Sequence, residues 1–96
     1  MLALRPNCEN CDKDLPPAST EAMICTFECT FCEDCVTGIL QNVCPNCGGN
    51  LVPRPIRPVD KLAKYPASTE RLYKPLEGDR LEKHTSLLKT RVSRQA

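Results

Sequence analysis

The 96-residue sequence predicts a small metal-stabilised α+β domain, and three observations carry that expectation. Eight cysteines crowd between Cys8 and Cys47 as four close pairs: Cys8/Cys11, Cys25/Cys29, Cys32/Cys35 and Cys44/Cys47. The large apolar side chains of residues 1–52 are too few for an independent core, with Phe27 and Phe31 the only aromatics there. No apolar run approaches the roughly 20 residues of a membrane span.

Four pairs of thiolates supply two complete tetrahedral sites, each placing four sulfurs about 2.3 Å from a zinc ion. A disulfide framework is the competing use of eight cysteines, and it needs an oxidising compartment. The seven residues before Cys8 are too short for a secretory signal, so a cytoplasmic location with reduced thiols is expected. An iron–sulfur cluster is a third use of four cysteines. The knuckle Cys44-Pro45-Asn46-Cys47-Gly48 leans towards zinc. Two Zn²⁺ are therefore the expected cofactors, each binding with a free energy on the order of 10 kcal/mol that amounts to the folding free energy of the module.

The elements follow in order. Pro16-Pro17 forbids a helix between Cys11 and Cys25, leaving a polar, turn-rich loop. Ala22 to Phe31 mixes apolar and β-favouring residues and predicts a short hairpin with Cys25 and Cys29 near its ends. Glu33 to Asn42 predicts a short helix: Glu33 and Asp34 suit its positive end, while Val36, Ile39, Leu40 and Val43 form one apolar stripe. Pro53, Pro55 and Pro58, alternating with Arg54, Ile56 and Arg57, predict an extended linker over residues 53–65. Residues 66–96 read as a basic, partly helical or disordered tail. Asp79 to Arg94 is its helical part, with Leu81, Leu88 and Val92, supplemented by Leu87, as a thin apolar stripe. Pro66-Ala67-Ser68-Thr69-Glu70 repeats Pro17-Ala18-Ser19-Thr20-Glu21 letter for letter, which is either chance or one turn device used twice.

The cysteine spacing, C-x2-C-x13-C-x3-C-x2-C-x2-C-x8-C-x2-C, resembles that of RING-type domains, with cysteine where those usually carry a histidine at the fourth ligand. Cys29-Thr30-Phe31-Cys32-Glu33-Asp34-Cys35-Val36 and Cys44-Pro45-Asn46-Cys47 carry the resemblance further. The run from Leu4 to Pro58 also resembles an uncharacterised family of short bacterial cysteine-rich proteins. The RING resemblance implies a cross-brace over residues 1–52, in which Cys8, Cys11, Cys32 and Cys35 hold one zinc and Cys25, Cys29, Cys44 and Cys47 hold the other. The alternative is two sequential sites, Cys8/Cys11/Cys25/Cys29 and Cys32/Cys35/Cys44/Cys47. Interleaving gives Phe31, Val36 and Leu40 a place between the metals, and it puts the Cys11 and Cys32 sulfurs about 3.7–4 Å apart.

Charge bounds the function. Residues 1–50 carry two bases against seven acids, a net of −5, and residues 51–96 carry eleven bases against five acids, a net of +6. Two four-thiolate zinc sites would bring the first half to near −9, a surface that repels phosphates. A structural zinc module that binds an unidentified protein partner is the leading expectation. A nucleic-acid accessory protein binding through the basic tail is the alternative, weakened by interspersed acids and only two aromatics there, Tyr65 and Tyr73. RING resemblance also implies ubiquitin ligase activity, but Asn10 and Gly48 stand where that family commonly carries an aliphatic and a basic residue, and only Pro45 matches. No catalytic residue is expected: eight cysteines close both sites, and His84, the only histidine, reads as a solvated helix residue. Neither a small-molecule substrate nor a membrane is expected as a partner.

Overall fold

A computed structural model describes residues 1–95, with side chains to Lys89. The expected hairpin is present. Strand β1 (Ala22–Ile24) pairs antiparallel with β2 (Thr30–Cys32), in the register Ala22 to Cys32, Met23 to Phe31 and Ile24 to Thr30. The second cysteine pair lies in the turn between them. Phe31 and Thr30 are completely buried, so β2 is the central wall of the core.

The chain leaves β2 directly into α1 (Glu33–Cys35), which widens into a π turn, Val36–Leu40. Gln41 and Asn42 then adopt left-handed backbone conformations, φ 50° and 60°, and stop the helix. Of the four residues expected on one stripe, Val36, Leu40 and Val43 are buried, but Ile39 is 48% exposed. The wider turn is the reason: it breaks the 3.6-residue period from which the stripe was read, and Ile39 rotates out of the seam.

Residues 53–65 are not simply a spacer. Strand β3 (Val52–Pro53) pairs antiparallel with the other side of β1, giving the sheet order β2-β1-β3. A proline is tolerated because β3 is an edge strand. Arg54, only 4% exposed, turns inward, where its guanidinium donates to the carbonyls of Arg5 (2.9 Å), Leu15 (3.2 Å) and Pro16 (3.0 Å). Arg57 donates to Leu2 O at 2.7 Å, tying the N-terminus to the same segment. A short helix α2 (Val59–Leu62) follows.

The C-terminal segment folds back over the cysteine-rich half. Leu72 O accepts from Asn7 Nδ2 (2.9 Å), Lys74 N donates to Glu9 O (2.7 Å), and Leu76 N donates to Asn10 Oδ1 (2.7 Å). Helix α3 (Asp79–Gln95) then crosses the end of the π turn. Its seam is not the Leu81 stripe, since Leu81 is 47% exposed; Val92 lies outside the described side chains. The seam centres on His84, with Leu87 packed against Gly48.

His84 is thus a correction to the sequence reading. It is 1% exposed, and its Nε2 lies 2.9 Å from Leu40 O and 3.0 Å from Val43 O. Both partners are acceptors, so Nε2 carries the proton and donates to two carbonyls at and just past the end of the helical segment, of which Leu40 O also accepts from Val43 N at 3.1 Å. The two copies of the repeated pentapeptide share one local contact, Glu21 N donating to Ser19 Oγ (3.1 Å) and Glu70 N to Ser68 Oγ (3.2 Å), but Ser19 N closes a turn on Pro16 O whereas Ser68 N reaches across to Leu4 O.

Candidate metal centres

The first and last cysteine pairs sit in knuckles of the same build. In one, Asp12 N donates to Cys8 O at 2.9 Å; in the other, Gly48 N donates to Cys44 O at 2.8 Å. The residue after the second cysteine is left-handed in both, Asp12 with φ 63° and Gly48 with φ 78°. A closed turn of this kind aims two sulfurs the same way, as chelation of one ion requires. The Cys25 to Cys29 turn, one residue longer, closes by Glu28 N donating to Cys25 O (3.1 Å), with Glu28 at φ 64°. The remaining pair, Cys32 and Cys35, is set by the β2–α1 junction.

Tertiary folding brings these pairs together alternately. The sulfurs of Cys8, Cys11, Cys32 and Cys35 all lie within 4.8 Å of one another, with Cys11 and Cys32 at 3.7 Å. Two corners of a tetrahedron with 2.3 Å metal–sulfur bonds are separated by about 3.8 Å. The sulfurs of Cys25, Cys44 and Cys47 likewise lie within 4.8 Å of one another, while Cys29, the fourth cysteine expected there, is outside that tight set and lies beside Cys47 and Asn46 at its edge. Each group can therefore hold a metal ion. The first and third pairs share one cluster and the second and fourth share the other, leaving Phe31, Val36 and Leu40 buried in the core between elements of both.

The surroundings suit thiolates. Asn10 Nδ2 donates to Cys35 Sγ at 3.3 Å, while backbone amides donate to Cys25 Sγ (Phe27 N, 3.4 Å) and to Cys47 Sγ (Gly49 N, 3.4 Å). In the second cluster the Cys44 thiol donates to Cys29, drawing Cys29 down to about 6 and pushing Cys44 far up. Burial raises Cys25 to about 11, and burial also raises Cys35 and Cys8. Metal is held by thiolates, so at any cysteine that carries its proton metal capture and proton release are one event.

Between the clusters lies Glu9, 3% exposed. Its Oε2 accepts from Thr30 N (3.0 Å) and its Oε1 from Asn46 Nδ2 (3.2 Å), so one carboxylate ties the first knuckle to β2 and to the last knuckle. Sequence reasoning missed Glu9, Arg54 and His84 as structural residues, and nothing local marks them. It also passed over a visible signal: Cys8-Glu9-Asn10-Cys11 and Cys44-Pro45-Asn46-Cys47 share an asparagine just before the second cysteine.

A three-stranded sheet, short helices and two interleaved cysteine clusters define a small cysteine-cluster protein of the α+β class. Residues 1–57 match the model of a family described as protein of unknown function, DUF1272, and the chain belongs to that family. An uncharacterized protein of Rhizobium meliloti (strain 1021) is 67% identical over 75 residues, covering 78% of this chain and 89% of the relative. No solved structure matches. The family match ends at residue 57, but the similarity to the rhizobial protein is too long to stop there: its 75 residues reach past the cysteine-rich half into the segment that packs on it. Among the described residues, no helix is long and apolar enough to cross a membrane.

Proposed function

We propose that the protein is a non-catalytic module that binds two structural zinc ions, one at Cys8, Cys11, Cys32 and Cys35 and one at Cys25, Cys29, Cys44 and Cys47, in a RING-like cross-brace. The observation that carries this reading is the four-sulfur group of the first and third pairs, all within 4.8 Å. Four thiolates complete a tetrahedral zinc and leave no position for a reacting water, so the metal organises the chain rather than performing chemistry. Such thiols stay reduced in a cytoplasmic setting. The module serves as a protein-interaction adaptor.

Ligase activity has less support. Asn10 and Gly48, at two positions through which RING-type domains would be expected to engage a conjugating enzyme, are met by the chain's own Leu76 and Leu87. Phosphate binding by the tail is weakened for a related reason: Arg54, Arg57, Arg71 and Arg80 are engaged within the molecule.

Elemental analysis of purified protein, combined with intact mass in denaturing solvent, tests the metal reading. Two equivalents of zinc and eight free thiols are expected. Iron with labile sulfide, or a mass lowered by S–S links, would overturn it. A gel shift at low salt that retards nucleic acid would favour the tail-binding alternative over the adaptor.

A further inference from the structure

The two asparagines that precede the second cysteine of each knuckle occupy equivalent places. Asn10 donates through Nδ2 to Cys35 Sγ at 3.3 Å, a cysteine of the partner pair in its cluster. Asn46 stands beside Cys29, again a cysteine of the partner pair in its cluster, the two lining one surface hollow; its Nδ2 donates one hydrogen to Glu9 Oε1 at 3.2 Å, and an amide nitrogen carries a second for the sulfur. The other end of each amide is held by the C-terminal segment. Asn10 Oδ1 accepts from Leu76 N at 2.7 Å, and Asn46 Oδ1 accepts from Arg80 Nη2 at 3.1 Å. An amide whose oxygen already accepts a hydrogen bond is a better N–H donor, and its rotation is locked with the nitrogen towards sulfur. An N–H on a thiolate spreads the surplus negative charge that four thiolates place on a divalent ion, and partners of this kind change metal affinity without touching the metal.

We propose that Asn10 and Asn46 are twin positioning residues, one per cluster, each presenting an N–H to a metal-binding sulfur, and that the C-terminal segment locks both, so that metal affinity and docking of residues 72–84 reinforce each other. The proposal rests on reading the clusters as metal sites. Its consequence is reciprocal: whatever lifts the segment loosens both ions, and loss of metal frees the segment. Held between residues 76 and 80 by a backbone N–H and a guanidinium, the two amides respond to one and the same stretch of chain.

The test uses the full chain, with zinc affinity read by competition against a chromophoric chelator and each cluster read separately by cadmium-113 NMR. Wild type should bind two equivalents and show two cadmium resonances in the all-thiolate range. Asn10→Ala should shift one resonance and Asn46→Ala the other, each weakening its own site by roughly 10- to 100-fold. Arg80→Ala touches no sulfur, yet it should move the resonance that Asn46→Ala moves and weaken that site by on the order of fivefold. Should an alanine variant fail to fold, the isosteric Asn10→Asp and Asn46→Asp replace it, and they should lose affinity because they keep the shape without the N–H. Two equivalents bound with unchanged resonances and affinities in the variants would overturn this inference alone. A wild-type chain that binds no cadmium or zinc would overturn it together with the metal reading.

Discussion

The cysteine-rich half and the C-terminal half are held in place by different physics. Residues 1–52 contain nearly all of the buried apolar core, with Leu15, Phe31, Leu40 and Val43 close to fully buried, yet that core is laced through with cysteines. Residues 53–89 bury little apolar surface and attach through polar anchors: Arg54 on three carbonyls, Leu76 N on Asn10, and His84 on two carbonyls. The first half gathers its thiols into two groups that can hold metal ions. The second half waits on the first to present carbonyls and amides in the right places. The strap should therefore dock only on formed knuckles, and its docking should return the same coupling to metal affinity.

The largest expected effect is removal of the metal. A strong chelator, or the paired substitution Cys32→Ser and Cys44→Ser, should forfeit stabilisation on the order of 10 kcal/mol per site and unfold both halves together, as seen by loss of amide-exchange protection throughout. If α3 and β3 stayed protected in the chelated protein, the dependence of the second half on the first would be refuted.

Next comes Arg54. Arg54→Met keeps much of the apolar stem but removes the guanidinium donor shared by the carbonyls of Arg5, Leu15 and Pro16, of which Pro16 O keeps Ser19 N, at a cost of about 3 kcal/mol. Arg54→Lys should recover only part of that, because an ammonium lacks the planar fork. Denaturant melts of zinc-loaded protein decide this, and a midpoint equal to wild type would show that the guanidinium is dispensable.

His84→Ala should be milder, about 2 kcal/mol, since the carbonyls of Leu40 and Val43 lose one shared donor and the seam under α3 loses its central side chain. Its signature is local. Exchange should rise over α3 while amides in β1 and β2 keep their protection, and uniform loss would mean the two halves are not separable.

Arg71→Ala should do least. Arg71 pairs with Asp12 at 2.9 Å and Asp14 at 2.8 Å at the surface, where water and salt screen the attraction. Any change in the melting midpoint should vanish at high salt, and a deficit that persisted there would mark a role beyond charge.

The local signals in the chain were legible because they depend on near neighbours. The hairpin at Ala22 to Phe31, the acid-led helix from Glu33 and the closed CxxC turns all appear where their residues place them. So does helix α3, whose composition alone marks Asp79 onward. The errors came where a distant partner outweighed local preference. Ile39 was assigned inward by a 3.6-residue period that the π turn abandons, and His84 was assigned to solvent because nothing near it in sequence needs a donor. Pro53 and Arg54 read as spacer because prolines disfavour strands, yet β1 had an open edge and the carbonyls of Arg5, Leu15 and Pro16 converge within reach of one guanidinium.

By itself, the order of residues determined that eight cysteines come as four close pairs, that acid gathers in one half and base in the other, and that the cysteine-rich half has few large apolar side chains. Only the tertiary structure decided which pairs meet and what the basic half does. Grouping of sulfurs is a matter of distances between chain segments that no spacing rule measures, and the docking of residues 72–84 depends on carbonyls and amides that exist as a surface only after the knuckles and the hairpin have formed.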